Sequence, residues 1–157
     1  MPFSLSAKSL KELQGVHPDV VAVVKSAIGI SKQDFAVHDG PRTIEEQREF
    51  VRRKVSKTMK SRHLIQKDGL GHAVDLVPII NGQLRWEWGP IYDVAEAMRK
   101  ASSDLGVQLV WGGVWDRTLG TYGSGASAMK AAVAEYQARH PGPDFIDGPH
   151  FELVNTQ

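Results

Sequence analysis

Hydrophobic positions recur every three to four residues along much of the chain, which predicts helices. The predicted helices cover residues 6–16, 18–30, 44–55, 91–106 and the alanine-rich segment 124–142. Pro18 suits the first position of a helix, because the amide hydrogen that proline lacks is not needed there. Thr43 and Glu46 have the spacing of a capping box, and Gly106 suits a helix end.

Shorter apolar runs between these helices predict strands. The predicted strands cover residues 35–40, 73–80, 107–111 and 149–154. The pair Asn81-Gly82, which follows the second run, is typical of a tight turn. The chain shows no internal repeat, low-complexity tract or linker. The pattern therefore indicates one α+β domain over residues 1–157.

Composition narrows the classes of function. The chain has 157 residues, 41% of them hydrophobic, which is enough for one buried core. A net charge of +1 does not indicate a nucleic-acid or membrane partner. The lack of cysteine excludes disulfides and iron–sulfur clusters, so a transition metal would need His, Asp or Glu ligands. There is no signal-peptide pattern and no apolar run of about 18 residues, so we expect a soluble protein.

The stretch SRHLIQKDGLGHAVDLVP, residues 61–78, concentrates candidate metal ligands. Asp75 lies within a predicted strand, where His72 would point away from it, because alternate strand residues face opposite sides. His63 lies across a glycine-containing loop that can fold back towards the strand. The residues alone leave open whether His63 or His72 joins Asp75, or whether the histidines are ordinary surface residues.

A second concentration lies near the end of the chain, in DGPHFEL. Asp147 precedes His150 by three residues, and Glu152 follows it by two. On a strand, His150 and Glu152 face the same side. A metal ion would offset the cost of burying their charges. Hydrogen-bonded residues at a sheet edge would be an equally simple interpretation of this segment alone.

Taken in order, SRH, GHAVDL, WGGVWD and DGPHFEL closely resemble the motifs of the phage-type L-alanyl-D-glutamate peptidases. These belong with the D-alanyl-D-alanine metallopeptidases and share a fold with the hedgehog signalling domain. The upstream segment DGPRTIEEQ is similar to a further family motif, so the resemblance covers residues 35–154. It implies an α+β fold with a small antiparallel sheet flanked by helices.

The resemblance also implies a site with one Zn²⁺ per chain. His63, Asp75 and His150 would be the metal ligands, leaving a fourth position for water or the substrate carbonyl. Asp147 would be the general base, and Arg42 would stabilise the oxyanion or hold a substrate carboxylate. The strand pattern adds Glu152, which shares a face with His150 and would either orient that ligand or replace Asp147 as the base.

One feature departs from the family pattern. In the family the histidine and aspartate positions are seven apart in sequence, whereas His63 and Asp75 are twelve apart. The simplest alignment places five extra residues within IQKDGL, a loop where insertion costs little free energy. This alignment keeps His63 as the ligand and makes His72 the alternative. The loop could also rim the substrate cleft.

The basic run of residues 51–62 holds six Lys or Arg and no acid. It is typical of a solvated helix face, or of a surface attracted to an anionic polymer such as peptidoglycan. It also motivates a different class of function, a non-catalytic nucleic-acid-binding module. A near-neutral chain with spaced His and Asp residues does not favour that class. A third hypothesis is a zinc-binding module without catalysis. The presence of Asp147 at the position of the general base argues against it.

The resemblance therefore predicts a zinc endopeptidase of the endolysin type that cleaves the peptidoglycan stem peptide between L-alanine and D-glutamate. The alternative within the class is a bacterial D-alanyl-D-alanine carboxypeptidase or dipeptidase. We expect a single catalytic domain over residues 1–157 without a separate wall-binding module, and a monomer. We further expect it to remain in the host cytoplasm without a signal peptide until holin-type pores release it to periplasmic peptidoglycan.

Overall fold

The computed structural model describes residues 2–53, 61–142 and 145–154, and the strands within them form one six-stranded antiparallel sheet. The order along the sheet is β1-β2-β6-β4-β5, and the short β3 pairs with β2. The strands are β1 (Phe35–Asp39), β2 (Ala73–Ile80), β3 (Gln83–Leu84), β4 (Leu109–Trp111), β5 (Val114–Thr118) and β6 (His150–Leu153). This architecture confirms the predicted α+β fold.

Five helices flank the sheet within the described ranges. They are α1 (Ala7–Glu12), α2 (Pro18–Ile30), α3 (Ile44–Arg52), α4 (Trp88–Leu105) and α5 (Ala126–Arg139), and a 3-10 turn covers Leu119–Thr121. Each sequence signal for a helix end is confirmed. Pro18 opens α2, Thr43 and Glu46 form both bonds of the capping box, and Gly106 ends α4 in the left-handed conformation.

The core lies between the sheet and the pair α2 and α4. Val20, Val23 and Val24 are fully buried on α2, and Met98 and Ala101 are fully buried on α4. Each large aliphatic side chain buried in this way stabilises the fold by about 1.5–3 kcal/mol. The sheet is therefore held rigidly from one side, which fixes the positions of the polar residues at its other surface.

The sequence pattern missed two strands. The two-residue β3 completes the predicted turn at Asn81-Gly82 and is too short to show alternation. β5 follows Gly112-Gly113, and its polar residues Asp116 and Arg117 hide the period of two. Asp116 accepts hydrogen bonds from Arg139 of α5, so this strand is fixed partly by charge rather than by apolar burial.

The outer surface bears on two further expectations. No helix in the described part of the chain is both long and apolar enough to cross a membrane. Within the basic run, Arg52 and Arg53 are exposed, and Arg52 donates a hydrogen bond to Glu49. Residues 54–60 of that run, and the end of the predicted helix 44–55, lie outside the described residues.

Candidate active site

Two candidate site residues face each other across neighbouring strands. In the register of β2 and β6, Asp75 lies opposite His150, and on its other side it lies opposite Asp39 of β1. Directly opposed residues of antiparallel strands have Cβ atoms about 4.5–5.5 Å apart. The register of the sheet therefore brings Asp75 and His150 together without help from any loop.

His63 reaches the same point from the segment that precedes β2. Its main-chain carbonyl accepts a hydrogen bond from the Arg42 amide at 2.7 Å, and its Nδ1 lies 2.9 Å from the Gly40 carbonyl oxygen. A carbonyl oxygen only accepts hydrogen bonds, so Nδ1 of His63 carries a proton. Its Nε2 then faces Oδ1 of Asp75 at 3.1 Å.

His150 is oriented in the same way from the strand side. Its Nε2 lies 2.9 Å from Oε1 of Glu152, on the same face of β6. The ionised carboxylate only accepts hydrogen bonds, so Nε2 of His150 carries a proton and donates it. Nδ1 is thereby directed at the same Asp75 Oδ1 atom, at 3.4 Å.

These residues fit a metal ion. One ligand atom from each of His63, Asp75 and His150 can be chosen so that all three lie within 4.8 Å of one another. Two ligand atoms of a tetrahedral zinc, each about 2.0–2.1 Å from the ion, lie about 3.3 Å apart. The nitrogen–oxygen distances of 3.1 and 3.4 Å are close to that value. Each imidazole also gives its second N–H to an oxygen, as metal-binding histidines usually do.

The electrostatics of the chain's own groups favour positive charge at this point. Burial alone would raise the pKa of Asp75, but the charges and hydrogen bonds of His63 and His150 outweigh it and hold that pKa well below its usual range. Burial alone would lower the pKa of His150, but its bonds to Asp75 and Glu152 raise it to about 9. Both shifts have the same cause, the attraction between the carboxylates and positive charge on the neighbouring rings.

Asp147 lies beside these residues in the turn that leads into β6. Its amide donates to the Gly112 carbonyl at 2.8 Å, and its carbonyl accepts from the His150 amide at 3.1 Å. A Cβ atom on Gly112 would lie 2.1 Å from the Asp147 carbonyl oxygen, so only glycine allows this approach. Burial raises the pKa of Asp147 to about 6, and the charge of Asp75 acts in the same direction.

Arg42 is buried at the cleft wall with a side-chain exposure of 8%. Its Nη2 forms an ion pair with Asp39, and its Nη1 donates to Oε1 of Gln47 at 2.5 Å. The guanidinium also lies 4.5 Å from the centre of the Phe50 ring. Held on three sides, this arginine keeps a fixed orientation.

His72 lies apart from these residues. Its Nε2 is 2.7 Å from Oδ2 of Asp68, its Nδ1 is 3.1 Å from Nη2 of Arg62, and its ring contacts His17 edge-on. Among the described residues it is not part of the group that could hold a metal. The structure thus brings together His63, Asp75 and His150, with Asp147, Arg42 and Glu152 around them, and it does not bring His72 to them.

The group opens into a cleft of about 900 Å³. The cleft is lined by His38, Asp39, Arg42, Phe50, Ser61, Arg62, His63, Asp75, Trp86, Trp115, Phe145, Asp147, His150 and Glu152. Sequence reasoning missed Asp39 as the partner of Arg42, although their spacing of three residues across a Gly-Pro pair was a usable signal. It also missed Gly40, whose role lies in a main-chain carbonyl that no side-chain pattern reveals.

The five-residue insertion was expected to lie within residues 65–70 and the loop to rim the cleft. Ser61 and Arg62 do line the cleft, whereas residues 65–70 form a small closed turn beside it. In that turn, the Gln66 amide donates to the Leu70 carbonyl at 2.8 Å. The turn of residues 65–70 therefore supports the cleft wall rather than forming it.

The sheet and the His/Asp/His group define a candidate metal-dependent hydrolase, and comparisons with known proteins narrow this class. The family model for the phage L-alanyl-D-glutamate peptidase matches residues 1–154, so the chain belongs to that peptidase family. The resemblance inferred from the sequence motifs is thus confirmed.

Two relatives illustrate the match. The L-alanyl-D-glutamate peptidase of Escherichia phage T5 is 29% identical over 120 residues, which cover 74% of this chain and 84% of that protein. The crystal structure of the Serratia marcescens L-Ala D-Glu endopeptidase ChiX is 34% identical, with a TM-score of 0.68. The aligned region covers 94% of this chain and 87% of the ChiX chain.

Proposed function

We propose that this protein is a zinc-dependent endopeptidase that hydrolyses the L-alanyl-D-glutamate bond of the peptidoglycan stem peptide and serves host-cell lysis. The observation that carries the proposal is the convergence of Nε2 of His63 and Nδ1 of His150 on one oxygen of Asp75. Membership of the peptidase family and the names of its relatives support the choice of substrate.

His63, Asp75 and His150 would hold one Zn²⁺ per chain. Two imidazole nitrogens and one carboxylate oxygen are typical of catalytic zinc sites, which leave a further position open. When bound, zinc supplies Lewis-acid polarisation of the scissile carbonyl and activates water. Glu152 would act behind His150, holding its ring by the hydrogen bond at Nε2.

Asp147 would be the general base that takes a proton from the attacking water and passes it to the leaving amine. Its support is positional: it lines the same cleft as the three ligand residues, and its main chain is fixed to Gly112 and His150. A short side chain on a fixed main chain keeps its carboxylate near the ligands, where it can transfer a proton. Glu152 is the weaker candidate for this role, because its carboxylate already accepts a hydrogen bond from Nε2–H of His150.

Arg42 would stabilise the negative charge that develops on the carbonyl oxygen, or hold a substrate carboxylate. Its guanidinium is fixed by Asp39, Gln47 and the Phe50 ring before any substrate binds. A charge that is oriented in advance stabilises a transition state without a reorganisation cost. The ion pair with Asp39 weakens the attraction of Arg42 for either anion but leaves both roles open.

We further propose that residues 1–157 act as one catalytic domain and as a monomer. The wall would be reached from the host cytoplasm after release through holin-type pores. The basic surface that includes Arg52 and Arg53 would attract the anionic wall polymer at low salt.

The experiment is digestion of the synthetic peptide L-Ala-γ-D-Glu-diaminopimelate-D-Ala-D-Ala by zinc-loaded protein, with products identified by mass spectrometry. Release of L-alanine, with a new amino terminus on D-glutamate, is the expected result. Release of terminal D-alanine instead would favour the D-alanyl-D-alanine carboxypeptidase alternative. The Asp147→Asn protein, measured beside it with its zinc content, controls for a contaminating peptidase.

A further inference from the structure

Arg62 is a cleft-lining cation that the mechanism above does not use. It lies next to His63 and is partly buried. In the part of the chain that the structure describes, its hydrogen-bond partners carry no negative charge: Oε1 of Gln66 lies 3.1 Å from Nη1, and Nδ1 of His72 lies 3.1 Å from Nη2. Arg42, by contrast, has its charge paired with Asp39. Of the two cleft arginines, Arg62 therefore retains the larger net attraction for an anion.

The inserted turn holds Arg62 in place. Nε2 of Gln66 donates to the Leu64 carbonyl at 2.6 Å, which turns its Oε1 towards the guanidinium. The main chain of Gln66 is itself fixed by the Leu70 carbonyl, which accepts from its amide. This turn, in which we expect the extra residues to lie, thus supplies one of the two groups that orient Arg62.

Asp68 of the same turn supplies the second group indirectly. Its Oδ2 lies 2.7 Å from Nε2 of His72, and its Oδ1 accepts from the Leu70 amide at 3.0 Å. The carboxylate accepts a hydrogen bond from Nε2–H of His72, and because a guanidinium only donates, Nδ1 of His72 is the acceptor for Arg62. The chain Asp68–His72–Arg62 orients the guanidinium without neutralising it by direct contact.

The remaining charges of the cleft determine what such a cation can bind. Asp75, Asp147 and Glu152 line the same cleft and repel free carboxylates of a substrate. The substrate of the proposed function carries carboxylates on the residues that follow the cleaved bond. A charged hydrogen bond from a fixed guanidinium would therefore select where one of those carboxylates lies.

We propose that Arg62 is a specificity-determining residue that binds a free carboxylate of the stem peptide, and that Gln66 and Asp68 of the inserted turn are its positioning residues. This inference rests on the proposed function. The carboxylate is either the α-carboxylate of D-glutamate or that of the following diamino acid. The shared chemistry is a planar anion that accepts two guanidinium N–H groups.

The test compares three stem peptides: the free acid, the form amidated at D-glutamate and the form amidated at the diamino acid. For zinc-loaded wild-type protein, kcat/KM should be about tenfold higher for the free acid than for one of the two amides. A tenfold effect is the low end of what one hydrogen bond to a charged group contributes. The Arg62→Gln protein should cleave all three about equally. The Arg117→Gln protein, which removes an exposed arginine of β5 outside the cleft, should keep the wild-type ratio.

The Asp68→Asn protein tests the positioning role. It should lower the acid-to-amide ratio of kcat/KM severalfold, whereas a merely structural defect would lower kcat/KM for both peptides and leave their ratio unchanged. If the Arg62→Gln protein does not fold, the Arg62→Lys protein replaces it in the test. Lysine cannot form the bidentate hydrogen bond to a carboxylate, so this variant should also reduce the acid-to-amide ratio of kcat/KM.

Two results would overturn the proposal about Arg62 while leaving the proposed function intact. One is a wild-type protein that cleaves acid and amides equally. The other is an Arg62→Gln or Arg62→Lys protein that folds and keeps the full wild-type preference. Failure of the wild-type protein to release L-alanine from any of the peptides would instead contradict the proposed function, and the inference with it.

Discussion

The two histidines of the candidate site are held by different kinds of structure. His150 lies on β6, where pairing with β2 places it opposite Asp75. The side chain of Glu152 accepts a hydrogen bond from the second nitrogen of the His150 ring. His63 lies outside the sheet and is held by the Arg42 amide and the Gly40 carbonyl, both main-chain groups. One half of the site is built from strand register, and the other from loop hydrogen bonds.

The difference teaches where each half is vulnerable. The strand half is supported by the buried core behind β2 and β6, where Val74 and Phe151 are fully buried. The loop half depends on close main-chain contact, since a Cβ atom on Gly40 would lie 2.0 Å from the Glu12 carbonyl oxygen. Substitutions can therefore disturb either half separately.

The largest expected effect is loss of a ligand from either half. His63→Ala and His150→Ala should each reduce bound zinc from about one per chain to near zero and abolish peptide hydrolysis, because two remaining ligands hold zinc poorly. The measurement is metal content of dialysed protein by mass spectrometry. His72→Ala is the matched control, because this histidine contacts Asp68 instead. Zinc loss in His72→Ala with retention in His63→Ala would move the loop ligand to His72.

Asp147→Asn should have the next largest effect and acts on catalysis alone. The variant should keep its zinc and its fold while hydrolysis falls by about 10²- to 10⁴-fold, the usual cost of removing a general base. Turnover and zinc content are measured on the same samples. An active Asp147→Asn protein beside a zinc-loaded but inactive Glu152→Gln protein would assign the base to Glu152.

Glu152→Gln should weaken zinc binding about 10- to 100-fold, because the carboxylate that orients His150 is lost. At saturating zinc, turnover should recover most of its wild-type value. The His63 half offers no matching side-chain variant, since Gly40 holds its ring by a main-chain carbonyl. Competition with a chromophoric chelator measures the affinity. An unchanged zinc affinity would mean that Glu152 does not orient the ligand.

The two halves also differ in how far the sequence predicts them. β2 and β6 were predicted from apolar runs, and the period of two places His150 and Glu152 on one face. The contact between His63 and Asp75 spans twelve residues with an insertion, so no local period encodes it. His63 was favoured over His72 only through the family motif and the strand-face argument.

The same limit applies to the fold. Helix ends carried chemical signals, such as the capping box at Thr43 and the left-handed glycine at Gly106, and these were predicted. β5 was missed because a glycine pair and polar residues removed its alternation. The spacing of Asp39 and Arg42 allows an ion pair, but whether such a pair is buried is decided by packing, which the spacing does not show.

The smallest expected effects come from glycine substitutions that separate the halves. Gly40→Ala and Gly112→Ala should each destabilise the protein by about 1–3 kcal/mol through overpacking against main chain. For a chain of this size, each kcal/mol lowers Tm by about 2–4 °C. Gly40→Ala should also weaken zinc binding, whereas Gly112→Ala should slow turnover at saturating zinc by displacing Asp147.

The control is Gly29→Ala on α2, where an added Cβ meets nothing within 4 Å. It should raise stability by about 0.5–1 kcal/mol, because alanine favours helix over glycine. Thermal unfolding and zinc titration of the three variants complete the comparison. Equal loss of zinc affinity in Gly40→Ala and Gly112→Ala would show that the halves are not independent.

The most direct test of the site is a crystal structure of the zinc-loaded protein with anomalous scattering recorded on both sides of the zinc absorption edge. We predict one anomalous peak per chain, bonded to Nε2 of His63, Nδ1 of His150 and a carboxylate oxygen of Asp75 at about 2.0–2.2 Å. A peak at His72 and Asp68, or one bonded to Nε2 of His150 beside Glu152, would contradict this account.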